Sequence, residues 1–165
     1  MAAASARAGS PAFRAFLWVK YNKIIDRMRA VSLRILSKLY EPGSLRNTEN
    51  GFELAFKNTM APTQVTAVGP LLVDGGTIDL GHAILRLERP SERLGRPPSV
   101  REWQVKALNK DTEKDKDRTL SFDLFTVARM VVPGQQLTPG PHQVALSMMT
   151  KEVGEITLTA EDSVA

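Results

Sequence analysis

The chain contains no cysteine. That excludes a disulfide scaffold, a thiolate metal site and a cysteine nucleophile. Histidine is nearly as scarce, with only His82 and His142 in the whole sequence. Neither has a carboxylate three or four residues further on, and a metal site needs three or four converging ligands. Both therefore read as ordinary surface or strand-end residues. There is no G-x-S-x-G elbow, no Walker loop and no G-x-G-x-x-G. Gly75-Gly76 reads as a turn, because no helix follows it to offer an N-terminal dipole to a phosphate. Long apolar runs are missing too, so no helix of spanning length is expected. Lys20 and Lys23 interrupt any secretory h-region.

What is present is an ordinary globular balance. The chain has 165 residues, 42% of them apolar, and a net charge of +4. That length suits one domain with a real core. The charge is unevenly spread. Residues 1–46 hold nine Lys/Arg against Asp26 and Glu41, a balance of +7, while residues 47–165 hold thirteen against sixteen acidic residues, a balance of −3. The basic character belongs to the N-terminal segment. The rest is mildly acidic, which argues against nucleic acid as a partner.

Within that segment Phe13, Phe16, Leu17, Ile24, Met28, Val31, Ile35 and Leu39 recur at three- and four-residue steps, with Arg and Lys between them. The spacing predicts a basic amphipathic helix over 11–39, stopped by Glu41-Pro42-Gly43. Three readings stay open for it: a transit peptide, a membrane-surface or partner-binding helix, and a dispensable extension. The division expected is a basic, partly helical extension over 1–43 and a β domain over 44–165.

The β domain opens on SLRNTENGFELAFKNTMAP, residues 44–62. Asn50-Gly51 is a chain-reversing dipeptide. Phe52, Leu54 and Phe56 then alternate with Glu53, Ala55 and Lys57, which is the period of a strand with one buried face. Pro62 ends it. Further short strands are expected over 64–68, 71–73 and 77–80, the last two joined by an Asp74-Gly75-Gly76 hairpin, and over 83–88. Residues 89–99 hold three prolines and form a loop. Residues 102–108 read as a short strand or helical turn, and 109–118 as a charged, solvated loop tip. The longest apolar run, 119–132, alternates until its phase slips near Phe125, predicting a bulge or a doubly buried strand. Two more strands follow, over 142–150 and 155–160. Short strands with Gly/Pro turns predict a mainly β protein, an antiparallel β-sandwich with an N-terminal helical extension.

Trp103, beside the Pro-rich loop, offers either a stacking surface for a sugar or a cap on the core. Met149 offers an adaptable apolar contact. Taken alone, these residues describe a sandwich without a catalytic constellation.

The order SLRNTENGFELAFKNTMAP (44–62), VGPLLVDGG (68–76) and LTPGPHQVALSMMTKEVGEI (137–156) resembles the small β subunit of bacterial C-glycoside deglycosidases. The likeness spans about residues 40–160, without 86–118, and leaves 1–39 unmatched. It implies a non-catalytic subunit, with no cofactor of its own, in a heteromeric cytoplasmic lyase. The partner would be a TIM-barrel α subunit carrying a divalent metal, typically manganese. The substrate would be a C-glycoside already oxidised to a 3-keto sugar, whose aglycone leaves by elimination. The β subunit would then need an exposed apolar surface to meet its partner. Candidate partner-facing or substrate-proximal residues are Arg46, Asn47, Asn58, Met60 and Trp103. The alternatives are a stand-alone sandwich module that binds carbohydrate or protein, and an accessory protein that meets a membrane through 11–39.

Overall fold

The hydrophobic alternation that begins at Phe52 continues into two antiparallel sheets. The computed structural model describes residues 37–109 and 119–165. The predicted helix over 11–39, except for its last residues, and most of the charged loop 109–118 lie outside the described residues. One sheet contains β1 (Arg46–Thr48), β2 (Gly51–Lys57), β5 (Ile84–Arg89), β6 (Ser99–Gln104) and β8 (Val127–Pro133), in the order β1-β2-β8-β5-β6. The other contains β3 (Thr63–Val73), β4 (Gly76–Ile78), β7 (Leu120–Phe122), β9 (Gly140–Thr150) and β10 (Gly154–Val164). Its order is β10-β9-β3-β4, and β7 pairs with the first residues of β3. A 3-10 turn, Ser37–Leu39, and a one-turn helix α1, Val105–Leu108, complete the described elements.

The protein is mainly β with antiparallel sheets, as expected. Side chains from both sheets enter one core: Phe52, Leu54, Phe56, Leu85, Met130 and Val132 from the first, and Val65, Leu71, Val144, Leu146 and Leu158 from the second. The arrangement is sandwich-like. Leu39 and Tyr40, ahead of Ser44, are buried in the same core, and Tyr40 forms a bridge to Phe56.

Strand β2 is buried on both faces, not one. Ala55 is fully covered and Glu53 is only 7% exposed. The cover comes from Ser44, whose hydroxyl accepts the Ala55 N–H at 2.9 Å, and from the guanidiniums of Arg46 and Arg129, which reach Glu53. The reason for Gly51 also differs from the expected one. The loop residues are Glu49 and Asn50, and Gly51 already pairs with Thr48 and Pro133. A Cβ on Gly51 would sit 2.0 Å from the Val132 carbonyl oxygen. Close approach of the neighbouring strand demands the glycine here.

Three strand boundaries depart from the sequence reading. Gly69-Pro70 does not end a strand. Strand β3 runs through it, with a register shift against β9 between Val68 and Leu71. A bulge is where proline is tolerated, since no ladder N–H is needed there. The run 119–132 is two strands in different sheets, β7 and β8, and the phase slip at Phe125 is the crossing between them. Residues 102–108 are part strand and part helix, changing at Val105.

The registers define two ends. Gly51, Val73, Ile84, Gln104, Pro133 and Gly140 lie at one end. Lys57, Thr63, Arg89, Ser99, Val127 and Thr150 lie at the other.

Candidate functional site

The end marked by Gly51 and Pro133 is clamped by side chains bonded to backbone. Asn47 donates through Nδ2 to the Leu137 carbonyl and accepts the Leu137 N–H through Oδ1, both at 2.8 Å. Gln136 donates to the Thr48 carbonyl at 2.6 Å. The Asp74 and Gly75 turn joins β3 to β4 with positive φ at both residues, 51° and 79°. This is the two-residue hairpin that the Asp-Gly pair predicts.

That turn places the Asp74 carboxylate over β9. Its Oδ1 accepts the Gln143 N–H at 2.9 Å, and its Oδ2 meets His142 Nδ1 at 2.7 Å. His142 Nε2 meets the Thr138 carbonyl at 2.7 Å. Both ring partners are acceptors, so the arrangement favours the imidazolium with a proton on each nitrogen. The Thr138 carbonyl, and then the Asp74 carboxylate, raise the His142 pKa above its ordinary value against the opposing effect of burial. The Gln143 amide, and then His142, hold Asp74 below the usual carboxylate range. An Asp–His pair suggests a general base. Here neither nitrogen is free to accept a substrate proton, so the pair locks two turns together. His142 is only 7% exposed. Sequence reasoning treated it as an ordinary strand-end residue. The signal was its position after Pro139-Gly140-Pro141, but its partner lies 68 residues away.

A second carboxylate closes the seam between β10 and the segment entering β1. Asp162 Oδ2 accepts from Tyr40 Oη at 2.6 Å, Gly43 N at 2.9 Å and Leu45 N at 3.2 Å. Burial alone would raise the Asp162 pKa. The Tyr40 hydroxyl and the surrounding amides outweigh it and hold the carboxyl below its usual value. Burial, and then the bond to Asp162, push the Tyr40 phenol well above its ordinary value.

The opposite end carries most of the exposed large apolar side chains, among exposed charged residues such as Arg89, Arg93 and Lys151. Among the described residues, the exposed large hydrophobic side chains are Met60, Ile84, Leu94, Val100, Leu124, Phe125, Met149 and Val153. All except Ile84 lie on loops or strand ends at this end. Phe125 stands out. It is 54% exposed and has φ of 63°, a conformation that bulky residues rarely adopt. The surrounding structure fixes it there. The Phe125 N–H donates to the Asn58 carbonyl at 2.7 Å, and the Asn58 N–H donates to the Thr126 carbonyl at 3.0 Å. Arg89 pairs with Asp123, which also accepts from Ser121 at 2.8 Å. A shallow cavity of ≈ 430 Å³ beside the ring is lined by Lys57, Glu88, Pro90, Pro98, Phe125 and Val127.

The five candidate residues do not form one site. Asn58 is buried, and its side chain is fully occupied. Nδ2 donates to the Ala61 and Phe122 carbonyls, each at 2.7 Å, and Oδ1 accepts from Met60 N at 3.1 Å. It holds the backbone of Met60, which is 48% exposed, and its own carbonyl accepts the Phe125 N–H. Asn47 belongs to the clamped end. Arg46 lies on β1 at one edge of its sheet and Trp103 on β6 at the other, about 19 Å apart across four strand spacings. Trp103 is half-buried against the core. Arg46 is exposed, binds Glu53 at 2.5 Å, and lines a ≈ 430 Å³ cavity with Glu41, Pro42, Gly43, Ser44 and Arg129. Arg86–Glu102 and Arg129–Glu53 continue that charge-paired face. The Arg86–Glu102 pair is exposed, and pairs of its kind contribute little stability, whereas Glu53 is buried beneath its two arginines.

Of the five candidates, Asn58 and Met60 lie at the same end as Phe125, which entered the sequence reading only as the point where the alternation slips. Among the described residues, no group of three His, Asp or Glu side chains is placed to hold a metal ion. None of the described helices is long and apolar enough to cross a membrane. No family model matches the chain, and no curated protein matches it.

Proposed function

We propose that this chain is the non-catalytic β subunit of a heteromeric C-glycoside deglycosidase, and that it docks through its apolar end onto a TIM-barrel α subunit. The reading combines the motif order over 44–156 with one observation. Exposed apolar side chains gather at one end, around a Phe125 held in a strained conformation by Asn58, Asp123 and Arg89. Strain of about 1–2 kcal/mol persists where the surroundings impose it, and such places cluster at working surfaces.

The chemistry belongs to the partner. In the resemblance the partner would hold a divalent metal, manganese there, and that metal would supply polarisation of the ketone of a 3-oxo-C-glycoside. A base removes the adjacent C2 proton, and the aglycone leaves as the carbon–carbon bond breaks. The β subunit contributes shape. An apolar end pressed against the mouth of the barrel orders its loops and excludes water from a reactive enolate. His142 is the residue most like a base, and its nitrogens are committed elsewhere. The complex is expected to work in the cytoplasm. The competing reading, a stand-alone sugar-binding module, would rely on Trp103, which is half-buried against the core.

Co-expression with a TIM-barrel subunit encoded next to this chain tests the proposal. A stable heteromer that cleaves a 3-oxo-C-glycoside, with neither subunit active alone, is the expected result. Absence of a complex, or cleavage by this chain alone, contradicts it.

A further inference from the structure

The fold uses its asparagine side chains to hold backbone. Asn47 bonds both polar groups of Leu137. Asn58 bonds Ala61, Phe122 and Met60. Asn109 donates to the Val68 carbonyl at 2.7 Å and accepts the Val68 N–H at 2.9 Å. Asn50 is the exception. It is exposed in the turn between β1 and β2. Its backbone carbonyl accepts the Gly134 N–H at 2.7 Å, but among the described residues nothing bonds its side-chain amide. Its φ is not positive, so the turn does not call on asparagine's tolerance of the left-handed region.

No other asparagine of the chain precedes a glycine. Glycine has no Cβ to shield its amide nitrogen, so that nitrogen can reach a free side-chain amide on the residue before it. Gly51 cannot be exchanged for a shielded residue, because a Cβ there would sit 2.0 Å from the Val132 carbonyl oxygen. Asp74-Gly75 is the related pair in the other hairpin. There the carboxylate is ionised and tied to Gln143 and His142, and an ionised carboxylate is a poor electrophile.

We propose that Asn50 is a site of spontaneous modification, converting to aspartate and isoaspartate through a cyclic imide with Gly51, and that the isoaspartyl form loosens the clamped end. Solvent base takes the Gly51 amide proton, and the nitrogen attacks Asn50 Cγ. The N–Cγ bond forms, the Cγ–Nδ2 bond breaks, and Nδ2 takes a proton from water and leaves as ammonia. Water then opens the imide. Opening at Cγ gives aspartate. Opening at the backbone carbonyl carbon gives isoaspartate, with the main chain running through Cβ and Cγ. Only water is consumed, so no partner surface is involved. The isoaspartyl link lengthens a tight turn by a methylene and converts the carbonyl that holds Gly134 into a free carboxylate. Gly51 is paired with Thr48 and Pro133 and cannot shift toward Val132. The displacement therefore falls on the loop from Gly134 to Leu137, which Gln136 and Asn47 hold. The proposal uses neither Phe125 nor Met60, so it stands apart from the subunit reading.

The test holds the full chain in mildly alkaline buffer and follows it by peptide mass spectrometry, with methyl labelling by an isoaspartyl methyltransferase as a second readout. Deamidation is expected at Asn50 ahead of Asn47, Asn58 and Asn109, with the methyl label in the same peptide. Asn50→Gln keeps the amide but closes only a larger, slower-forming ring. It should fold normally and carry no label at that position. The isoaspartyl form, separated by ion exchange, should show a lower thermal midpoint and faster hydrogen exchange at the Gly134 amide than the unmodified chain. Three results overturn the proposal. The first is an unchanged Asn50 in the folded chain under conditions that deamidate a synthetic peptide of residues 46–55. The second is deamidation of Asn47 or Asn58 as fast as Asn50. The third is an isoaspartyl form with unaltered exchange at Gly134.

Discussion

At one end of the sheets, Asn47, Gln136 and His142 bond the backbone of neighbouring loops. At the other, Met60, Val100, Leu124 and Phe125 face outward. Both ends close the same core, so core stability does not explain the difference. The clamped end brings β-turns into contact and satisfies their polar groups. The apolar end also uses clamps, at Asn58 and Asp123, but these hold an exposed aromatic ring in an unfavourable conformation. Polar atoms committed to backbone indicate architecture, and the outward apolar side chains are the ones the proposed docking would use.

Substitutions at the two ends should therefore differ in kind. The largest effect is expected at Gly51. Gly51→Ala drives a methyl into the Val132 carbonyl, a backbone atom that cannot move aside. Chemical denaturation should show a loss of about 3 kcal/mol, or a chain that does not fold. Asn47→Ala leaves the Leu137 amide and carbonyl without their partner. It should cost about 2 kcal/mol and leave partner affinity unchanged.

The His142 clamp should make stability depend on pH. Its folded pKa is raised. Below about pH 6.5 the folded and unfolded states are both protonated, and the clamp contributes fully. As pH rises through the folded value the proton leaves and that contribution disappears. The thermal midpoint should fall from pH 6.5 into the mildly alkaline range, and His142→Gln should remove that slope. Asp74 acts in the opposite sense. Its folded pKa is lowered, so its contribution is lost as pH falls through that value.

Phe125→Asn probes the other end. Asparagine tolerates positive φ, so the fold should lose no stability and should gain up to about 1 kcal/mol. Affinity for the α subunit should nevertheless fall at least about tenfold, consistent with loss of a central aromatic anchor. A stable variant that still binds normally would break the comparison. The smallest effect is expected at Thr126, whose buried hydroxyl has no partner among the described residues. Thr126→Val should be neutral or stabilising by about 0.5 kcal/mol.

Much of the architecture was legible because strands announce themselves by local pattern. Phe52, Leu54 and Phe56 alternate, and Asp74-Gly75 turns as its backbone preferences require. Three features were not local. The cover over Glu53 comes from Arg129, 76 residues away. The His142–Asp74 clamp joins turns 68 residues apart. The crossing at Phe125 looks like a bulge in one strand, because a residue leaving one sheet for the other breaks period-two alternation in the same way. Asn58 and Met60 were chosen as candidates from the polar strand end after β2, and they lie at the end that carries Phe125. Phe125 itself was not legible, because an exposed aromatic inside an apolar run looks like core until its neighbours are known.

Hydrogen exchange in the assembled heteromer, compared with the free chain, tests the contrast between the ends most directly. Residues 58–62, 98–101 and 123–127 should gain protection on assembly, while 47–50 and 134–142 should exchange as they do in the free chain. Protection confined to the clamped end, with 123–127 unchanged, would contradict the account.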